Sequence, residues 1–427
     1  MNFKKLFKAV SAEMKNQKEN NDGSFFDNLE IITKGNFPVD DIDFNARAKR
    51  RQKASAKLSS FIAAMLVTLI ILLVSIFTFA SPDKSYSENE NRYLAAKPQF
   101  SASAVTDGEY MQNAESYLSD QFFARDVFVK TRSAIDIFIG KKEINGVYIG
   151  KEHFLFEKPS EYNEKRIAKT TASINSFTSK HPKLSSYIAI APNSNEILNG
   201  LLPDNAPTQN QKVQIDKIYS ALEGVQGIDL VSAFETLEDK SSLYYKTDHH
   251  WTTYAAQFAF DTIADSMGLD TSKVQYKTYA VTNSFQGTLA SSSGIFSSKD
   301  SISITVPENE APYVVSYVEE NQKSASIFVP EKLNEKSKYD VFFGGNYAQV
   351  NIDTVCENER VLLLIKDSYA NCVVPMLTPY FSRIVIIDPR YFTGNIDDTV
   401  SSEGVTDVLW LYNANTFLND TSIYSVF

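Results

Sequence analysis

Two short segments of the chain carry the side chains best suited to chemistry. Residues 248–251 read Asp-His-His-Trp and hold two of the four histidines behind a carboxylate. Residues 366–369 read Lys-Asp-Ser-Tyr and directly follow the apolar run 361–365. A serine becomes a nucleophile when a histidine within hydrogen-bond reach removes its proton and a carboxylate orients that histidine. The two segments therefore predict a Ser-His-Asp site in which Ser368 attacks.

In this site we expect His250 to be the general base and Asp248 its orienting carboxylate. Other readings of the same residues stay open. Ser368 is also an ordinary helix N-cap residue, and Asp248 fits a capping role for the helix that follows it. Adjacent side chains of an extended segment point in opposite directions, so we expect His249 to pack outside the site.

A metal centre is the alternative chemistry for the Asp-His-His run, because a carboxylate and two imidazoles can bind iron or zinc. Consecutive histidines converge poorly on one ion. The two remaining histidines, His153 and His181, have no ligand-like spacing. We therefore predict no metal and no cofactor.

Two further segments carry groups that suit an active site. Gly345 and Asn346 end a Phe-Phe-Gly-Gly-Asn run, where a backbone N–H and a side-chain amide can stabilise an oxyanion. A plain β-turn is the alternative for this run. Arg390 and Tyr391 follow the apolar strand 384–388 and can bring a cation and a phenol to the rim of the site. Ordinary loop residues are the alternative there.

An uncharged run of twenty residues, Phe61 to Ala80, is long enough to cross a membrane. At about 1.5 Å per residue it spans about 30 Å, the thickness of a bilayer's hydrocarbon core. Basic residues crowd its N-terminal side, which predicts a cytoplasmic N-terminus. A cleaved signal peptide is the alternative, but the run is too long for one and about 60 residues precede it.

The charge distribution agrees with this orientation. Residues 1–60 contain 12 basic and 8 acidic residues, a net charge of +4, which leaves 30 basic and 44 acidic residues, a net charge of −14, for the remainder. An acidic outer part does not favour nucleic acid as a partner. It contains both cysteines, Cys356 and Cys372. A disulfide between them can persist outside the cytoplasm, and two separate buried thiols are the alternative.

These features predict four parts. Residues 1–57 form a cytoplasmic tail that is polar and flexible from residue 16. Its first residues fit a basic amphipathic helix, and a frayed polar segment with chance periodicity is the alternative. Residues 58–80 form the transmembrane helix. Residues 81–105 form a linker, and residues 106–427 form one extracytoplasmic domain.

Within that domain, strands and helices alternate. Apolar runs predict strands at 187–191, 228–231, 361–365, 384–388 and 407–412, and amphipathic runs predict helices at 163–179, 208–224, 252–267 and 369–378. Near-continuous apolar strands between helices indicate an α/β fold with a mostly parallel sheet. Residues 275–350 are rich in Ser and Thr with short alternating segments, which predicts a β-rich insertion. In such a sheet the site lies at the carboxyl ends of the strands.

Residues 247–251 resemble the signature of the DHHW family of anchored bacterial surface proteins. Those proteins are related to the SGNH-hydrolase-like domains of alginate O-acetyltransferases. Four other stretches share the resemblance, which spans about residues 88–427: Glu90-Asn91-Arg92-x-Leu94-Ala95, Asp120-Gln121-Phe122-x-x-Arg125, Asn145 to Gly150, and Asp388-x-Arg390-Tyr391-Phe392. The serine block differs from the usual Gly-Asp-Ser of SGNH enzymes, because Lys366 stands in place of the glycine.

The resemblance implies an SGNH-type, three-layer α/β domain in which the Asp-x-His block precedes the serine, with Asp248, His250 and Ser368 as the triad. It implies that acetyl groups supplied by a multi-span membrane acyltransferase are transferred to an envelope polysaccharide. A carbohydrate acetylesterase with the same triad and a non-catalytic, anchored glycan-binding or scaffold protein are the alternatives.

Overall fold

The computed structural model describes residues 44–87, 92–309 and 311–427. The predicted amphipathic helix at the N-terminus and residues 88–91 of the resemblance lie outside the described residues. So do residues 16–43 of the predicted tail.

The described residues form α-helices and β-strands. The α-helices are α1 Phe44–Ala80, α2 Ala102–Thr106, α3 Glu109–Asp120, α4 Arg125–Phe138, α5 Glu164–Lys180, α6 Ser194–Ile197, α7 Gln211–Ser220, α8 Leu230–Glu235, α9 Thr253–Ser266, α10 Thr288–Ser293, α11 Val374–Leu377, α12 Ile396–Glu403 and α13 Ala414–Asn419. The strands are β1 Tyr86–Ser87, β2 Arg92–Tyr93, β3 Glu143–Ile144, β4 Val147–Ile149, β5 Leu155–Glu157, β6 Ser185–Ala191, β7 Gln226–Ile228, β8 Tyr276–Phe285, β9 Asp300–Pro307, β10 Tyr313–Tyr317, β11 Gln322–Ser324, β12 Gln349–Thr354, β13 Val361–Lys366, β14 Arg383–Ile387 and β15 Asp407–Asn413.

The chain divides into two compact units between Ser81 and Pro82. In the first unit, helix α1 contains the predicted membrane-crossing run. Of the part of the chain that the structure describes, residues 51–80 are the one helical stretch long and apolar enough to span a membrane. Residues 44–57 are predicted to be flexible but form the beginning of this helix, because their Ala, Lys and Arg residues are good helix formers.

The second unit is built on a mixed sheet. Among the described residues it has eight strands in the order β11-β10-β12-β14-β13-β15-β6-β7. The strands from β14 to β7 pair in parallel, and β12, β10 and β11 extend the sheet in antiparallel fashion beyond β14. All seven residues of β15 are buried, and so are five of the six in β13. This confirms the α/β class, because strands covered on both faces read as continuous apolar runs.

The pairing register brings the carboxyl ends of the parallel strands together. Lys366 at the end of β13 pairs with Leu411 on β15, and Asn413 at the end of β15 pairs with Ala191 at the end of β6. Residues that follow β13, β15 and β6 therefore meet at one edge of the sheet. The serine turn after β13 lies at this edge, as predicted.

Two predicted elements are wrong in part. The strand expected at 228–231 ends at Ile228 and a helix follows, because the Asp229 carboxylate accepts the backbone N–H of Ser232 at 3.0 Å and caps helix α8. The helix expected at 369–378 is two pieces, a 3-10 turn at Ser368–Cys372 and the short helix α11. Pro375 has no N–H with which to continue the first turn into the second.

Residues 275–350 divide between two structures. Strands β8 and β9 form a separate antiparallel pair with helix α10 between them. Strands β10 and β11, and the start of β12, belong to the main sheet instead. Both cysteines lie within the described residues as free thiols, Cys372 buried and Cys356 partly exposed.

Candidate active site

The Asp-His-His-Trp run lies in a bent loop between a 3-10 turn and helix α9. The backbone N–H groups of Lys246 and Thr247 donate to the Asp300 carboxylate on β9 at 2.9 and 2.8 Å. The carbonyl of Thr247 accepts the N–H of Ala290 on α10 at 3.0 Å. The loop is therefore held by the β8–β9 pair and the helix between its strands. Neither contact has a local signal in the sequence.

The Asp248 carboxylate is buried and accepts four hydrogen bonds. One oxygen, Oδ1, accepts the backbone N–H of His250 at 2.9 Å and its ring Nδ1 at 2.6 Å. The other, Oδ2, accepts the backbone N–H and the hydroxyl of Thr288, at 2.7 and 3.0 Å. These donors offset the cost of removing the carboxylate from water. They also fix the plane of the carboxylate relative to the imidazole.

The other ring nitrogen of His250 reaches the serine. Nε2 lies 2.8 Å from Ser368 Oγ, so aspartate, histidine and serine form one hydrogen-bonded row. The Tyr339 ring stacks on the imidazole with centroids 3.9 Å apart and planes 15° apart. Because Asp248 accepts at Nδ1, the neutral ring carries its proton there and leaves Nε2 free to accept.

The turn after β13 presents the serine hydroxyl. Asp367, and not Ser368, caps the 3-10 turn, since its carboxylate accepts the backbone N–H of Tyr369 at 2.9 Å. The other oxygen of that carboxylate accepts the backbone and side-chain N–H groups of Asn413 at 2.9 and 2.6 Å. The Ser368 hydroxyl is thereby left to His250. Helix α9 is likewise capped by Thr252, and Asp248 is free of that role.

Burial and neighbouring charge set the ionisation of the row. Burial by itself would raise the pKa of Asp248, but the adjacent imidazoles of His250 and His249 and its hydrogen bonds outweigh burial and hold that pKa well below its usual range. Burial and the nearby His249 lower the pKa of His250 to about 4, against the opposing effect of Asp248. The row therefore holds a carboxylate and a neutral imidazole at neutral pH.

His249 does not pack outside the site, which corrects the expectation from alternation. Residues 246–250 form a bend and not an extended strand, so the two histidine rings lie on the same side with centroids 3.9 Å apart. His249 Nδ1 lies 2.6 Å from the Thr288 hydroxyl, which itself donates to Asp248. Both histidines line the same cavity.

That cavity has a volume of about 220 Å³. Its wall includes Asn346 and Arg390 beside the Asp-His-Ser row. Arg390 donates to both oxygens of the buried Asp388 carboxylate at 2.8 and 2.6 Å. Of the other predicted residues, Gly345 does not line this cavity. Tyr391, which directly follows Arg390 in the chain, is 52% exposed.

Several residues of the site carry no signal that sequence reasoning used. Gly287 and Thr288 lie about forty positions after Asp248, in a Ser- and Thr-rich segment with no local pattern. Tyr339 belongs to a 3-10 turn, and its hydroxyl lies 3.3 Å from the carbonyl of Ser368. For Asn371 the sequence does carry a signal, because this residue follows the serine by three positions and therefore lies one turn away from it.

The Asp-His-His run also places its potential ligand atoms within 4.8 Å of one another. Each carboxylate oxygen of Asp248 already accepts two hydrogen bonds, and both ring nitrogens of His250 are engaged with Asp248 and Ser368. A metal ion would have to displace these contacts. The arrangement favours proton transfer between side chains over metal ligation.

Comparison with known proteins gives two sequence matches. Residues 147–337 match the family model described as the SGNH hydrolase-like domain of acetyltransferase AlgX, a segment that includes the Asp-His-His run and ends before Ser368. A "Probable alginate O-acetylase AlgJ" of Pseudomonas syringae pv. tomato is 24% identical over 204 residues, which cover 44% of this chain and 52% of that protein. The chain therefore spans about half the length of this curated relative.

The solved structures that share the fold include the following two. A DHHW family protein from Eubacterium siraeum has a TM-score of 0.56 at 22% identity and covers 66% of this chain and 95% of its own. Bacillus cereus PatB1, solved with a sulfonyl adduct, has a TM-score of 0.57 at 20% identity and covers 65% and 97% respectively. With the family-model match, these structures confirm the resemblance seen in the motifs. The second unit has an SGNH hydrolase-like α/β fold similar to that of the DHHW family protein, and residues 147–337 are similar to the SGNH hydrolase-like domain of acetyltransferase AlgX.

Proposed function

We propose that this protein is a membrane-anchored O-acetyltransferase that acts on an envelope polysaccharide through Ser368, His250 and Asp248. The observation that carries the proposal is the hydrogen-bonded row, with 2.6 Å between aspartate and histidine and 2.8 Å between histidine and serine. The row opens on a cavity at the carboxyl edge of the sheet. The relatives belong to the acetyltransferase and esterase class, and the curated one is named as an alginate O-acetylase, which favours a polysaccharide acceptor.

The reaction runs through an acetyl-serine. Ser368 Oγ attacks the carbonyl carbon of the donor while its proton moves to His250 Nε2. The bond from that carbon to the leaving oxygen then breaks, and His250 returns the proton to this oxygen. A sugar hydroxyl next attacks the acetyl-serine, gives its proton to His250, and the serine oxygen leaves with a proton from the same imidazole.

Asp248 holds the imidazole in the tautomer that accepts at Nε2 and stabilises the imidazolium formed at each step. The carbonyl oxygen becomes negative in the tetrahedral intermediate and needs donors near it. Asn346, in the cavity wall, is our candidate for one of these donors. We assign Arg390 and Tyr391 to substrate binding at the rim, whereas Gly345 does not line the cavity and is given no donor role.

We further propose that helix α1 anchors the domain in the cell membrane. Residues 1–57 would form the cytoplasmic tail, residues 58–80 the span, residues 81–105 the linker and residues 106–427 the extracytoplasmic domain. The basic flank of the span and the acidic remainder of the chain support this orientation. An acetyl donor would then reach the site from a multi-span membrane acyltransferase.

The covalent intermediate can be tested with the full-length chain in detergent and 4-nitrophenyl acetate. We expect one acetyl group on Ser368 by intact-mass and peptide mass spectrometry, and none in Ser368→Ala or His250→Ala. Ser401→Ala, which removes a hydroxyl on the exposed face of α12, should label as the wild type does. A wild type without adduct and equal ester turnover in all variants would leave the scaffold alternative.

The same labelled protein distinguishes transfer from hydrolysis. Acetyl-free envelope oligosaccharide is added to the acetyl-enzyme, and acetylated sugar and free acetate are both measured. A transferase gives acetylated sugar in preference to acetate. An esterase releases acetate at the same rate with or without the sugar.

Gly287→Ala is expected to inactivate the enzyme without unfolding it. A Cβ at this position would lie 2.1 Å from Asp248 Oδ2 and 2.3 Å from its Cβ, so the carboxylate must move away from the imidazole. A displacement of about 1 Å in a catalytic group can cost about 100-fold in rate. The matched control is Gly200→Ala, where an added Cβ meets nothing within 4 Å. Equal acylation rates in both variants would contradict the role of Asp248.

The pH dependence of acylation should have its acid limb at an unusually low pH. His250 accepts the serine proton only when neutral, and burial lowers its pKa to about 4. Apart from an inflection near pH 6 that Asp340 contributes, we expect the rate to be constant from about pH 7 to 5 and to fall as the pH drops through the pKa of His250, whereas an ordinary histidine would lose activity near pH 6.5. Burial raises the pKa of Asp340 in the cavity wall to about 6, so an inflection there should vanish in Asp340→Asn.

A stopped-flow series with circular dichroism at each pH makes this measurement. A midpoint near pH 6.5 that persists in Asp340→Asn would show that His250 is not the buried base.

The orientation of the anchor is measured by protease treatment of intact protoplasts. We expect the domain beyond residue 81 to be digested, while an epitope at the N-terminus stays protected until the membrane is lysed. A protected domain and an accessible N-terminus would reverse the proposed orientation.

A further inference from the structure

Lys366 is a charged side chain in a place where charge is expensive. It is the last residue of β13, directly before the Asp-Ser turn, and only 3% of its surface is exposed. An ammonium group is buried at this depth only where acceptors surround it. Its acceptors therefore show what the lysine does in this fold.

Two of these acceptors are side-chain amides. Lys366 Nζ lies 2.7 Å from Asn371 Oδ1 and 3.3 Å from Asn346 Oδ1. Asn371 Nδ2 in turn donates to Asn346 Oδ1 at 3.3 Å. The three side chains form a closed triangle in which the oxygen of Asn346 receives both donors.

The chemistry of the triangle fixes how the Asn346 amide is turned. An ammonium group has donors and no acceptor, so the Asn346 atom that faces it must be the oxygen. A flipped amide would point its NH₂ at the ammonium and at the NH₂ of Asn371. The NH₂ group of Asn346 therefore points away from Lys366. Asn346 and Ser368 line the same cavity.

Neutralisation of Asp388 is the structural alternative for Lys366. That carboxylate lies 3.8 Å from Lys366 Nζ, beyond hydrogen-bond distance. It already holds the bidentate guanidinium of Arg390 at 2.8 and 2.6 Å. Asp388 thus has a cation without the lysine, whereas Asn346 accepts from no other charged donor among the described residues.

We propose that Lys366 is a positioning residue that holds the Asn346 amide with its N–H groups toward the oxyanion of the acyl-transfer intermediate. The inference rests on the proposed function, in which Ser368 is the nucleophile and Asn346 an oxyanion donor. In the serine block of usual SGNH enzymes a glycine stands at this position. Here the lysine side chain reaches Asn346 and Asn371 and orients the amide that faces the substrate.

The test is a double-mutant cycle on the acylation of the full-length chain by 4-nitrophenyl acetate, with Lys366→Met, Asn346→Ala and the pair. Loss of one oxyanion donor costs about 100-fold in rate, so we expect about that loss in Asn346→Ala and about tenfold in Lys366→Met, with the ester KM unchanged. In the Asn346→Ala background, Lys366→Met should change the rate by less than about twofold. The matched control is Lys338→Met, a half-buried lysine that bonds the carbonyl of Leu333.

Each outcome decides the inference. Rate losses that multiply in the double variant, or a folded Lys366→Met with the wild-type rate, would overturn the positioning role while the triad stands. An inert wild type would overturn the proposed function and the inference with it. If Lys366→Met does not fold, Asn371→Ala replaces it in the cycle, because Asn371 supplies the second donor to the Asn346 oxygen. Asn346→Asp keeps an oxygen toward Lys366 and should fold, yet lose as much rate as Asn346→Ala.

Discussion

The buried carboxylate of Asp248 is the constraint on which the rest of the site depends. A carboxylate that is 2% exposed stays ionised only if donors replace the water it has lost. Here the donors come from both sides, two from His250 and two from Thr288. The β8–β9 segment must therefore close over the histidine loop before the carboxylate can be buried. Gly287 is required at this contact because a side chain there would overlap the side chain of Asp248.

The second organising feature is the alignment of strand ends. Parallel strands β13, β15 and β6 stop in register, so polar residues just beyond them meet in the interior at the sheet's edge. Asp367 bonds Asn413, and Asn413 accepts from Asn193 at 3.2 Å. Tyr369 then donates to the carbonyl of His249 and ties the serine turn to the histidine loop. This network holds Ser368 and His250 at hydrogen-bond distance although the two residues are far apart in the sequence.

A group of charged side chains lies beside the serine turn. Lys366 and Asp367 directly precede Ser368 and are buried, and the buried Asp388 carboxylate lies 3.8 Å from Lys366 Nζ and 2.6 Å from Arg390, which is in the cavity wall. Burial lowers the pKa of Lys366 and raises that of Asp367, and the opposite charges nearby oppose both shifts. Fixed charges and amides stabilise developing charge more effectively than solvent does, because they need no reorganisation.

The sequence by itself determined the elements whose cause is local. Continuous apolar runs specified the central strands, the uncharged run after residue 60 specified a helix long and apolar enough to cross a membrane, and the Asp-x-His and Asp-Ser blocks identified the residues that the fold brings into one row. Two elements were predicted wrongly because a local signal in the sequence was overlooked. The Asp229 cap ended a strand early, and Pro375 divided a helix.

Only the tertiary structure decided which residues complete the site. Two of the four donors to Asp248 come from a segment about forty positions away, and the ring that stacks on His250 comes from about ninety positions away. His249 turns inward because its loop is bent by distant hydrogen bonds. Periodicity and motifs report what a residue does to its neighbours in the chain. They carry no information about which buried polar groups will face one another, because that depends on how separate strands and loops close over the same edge of the sheet.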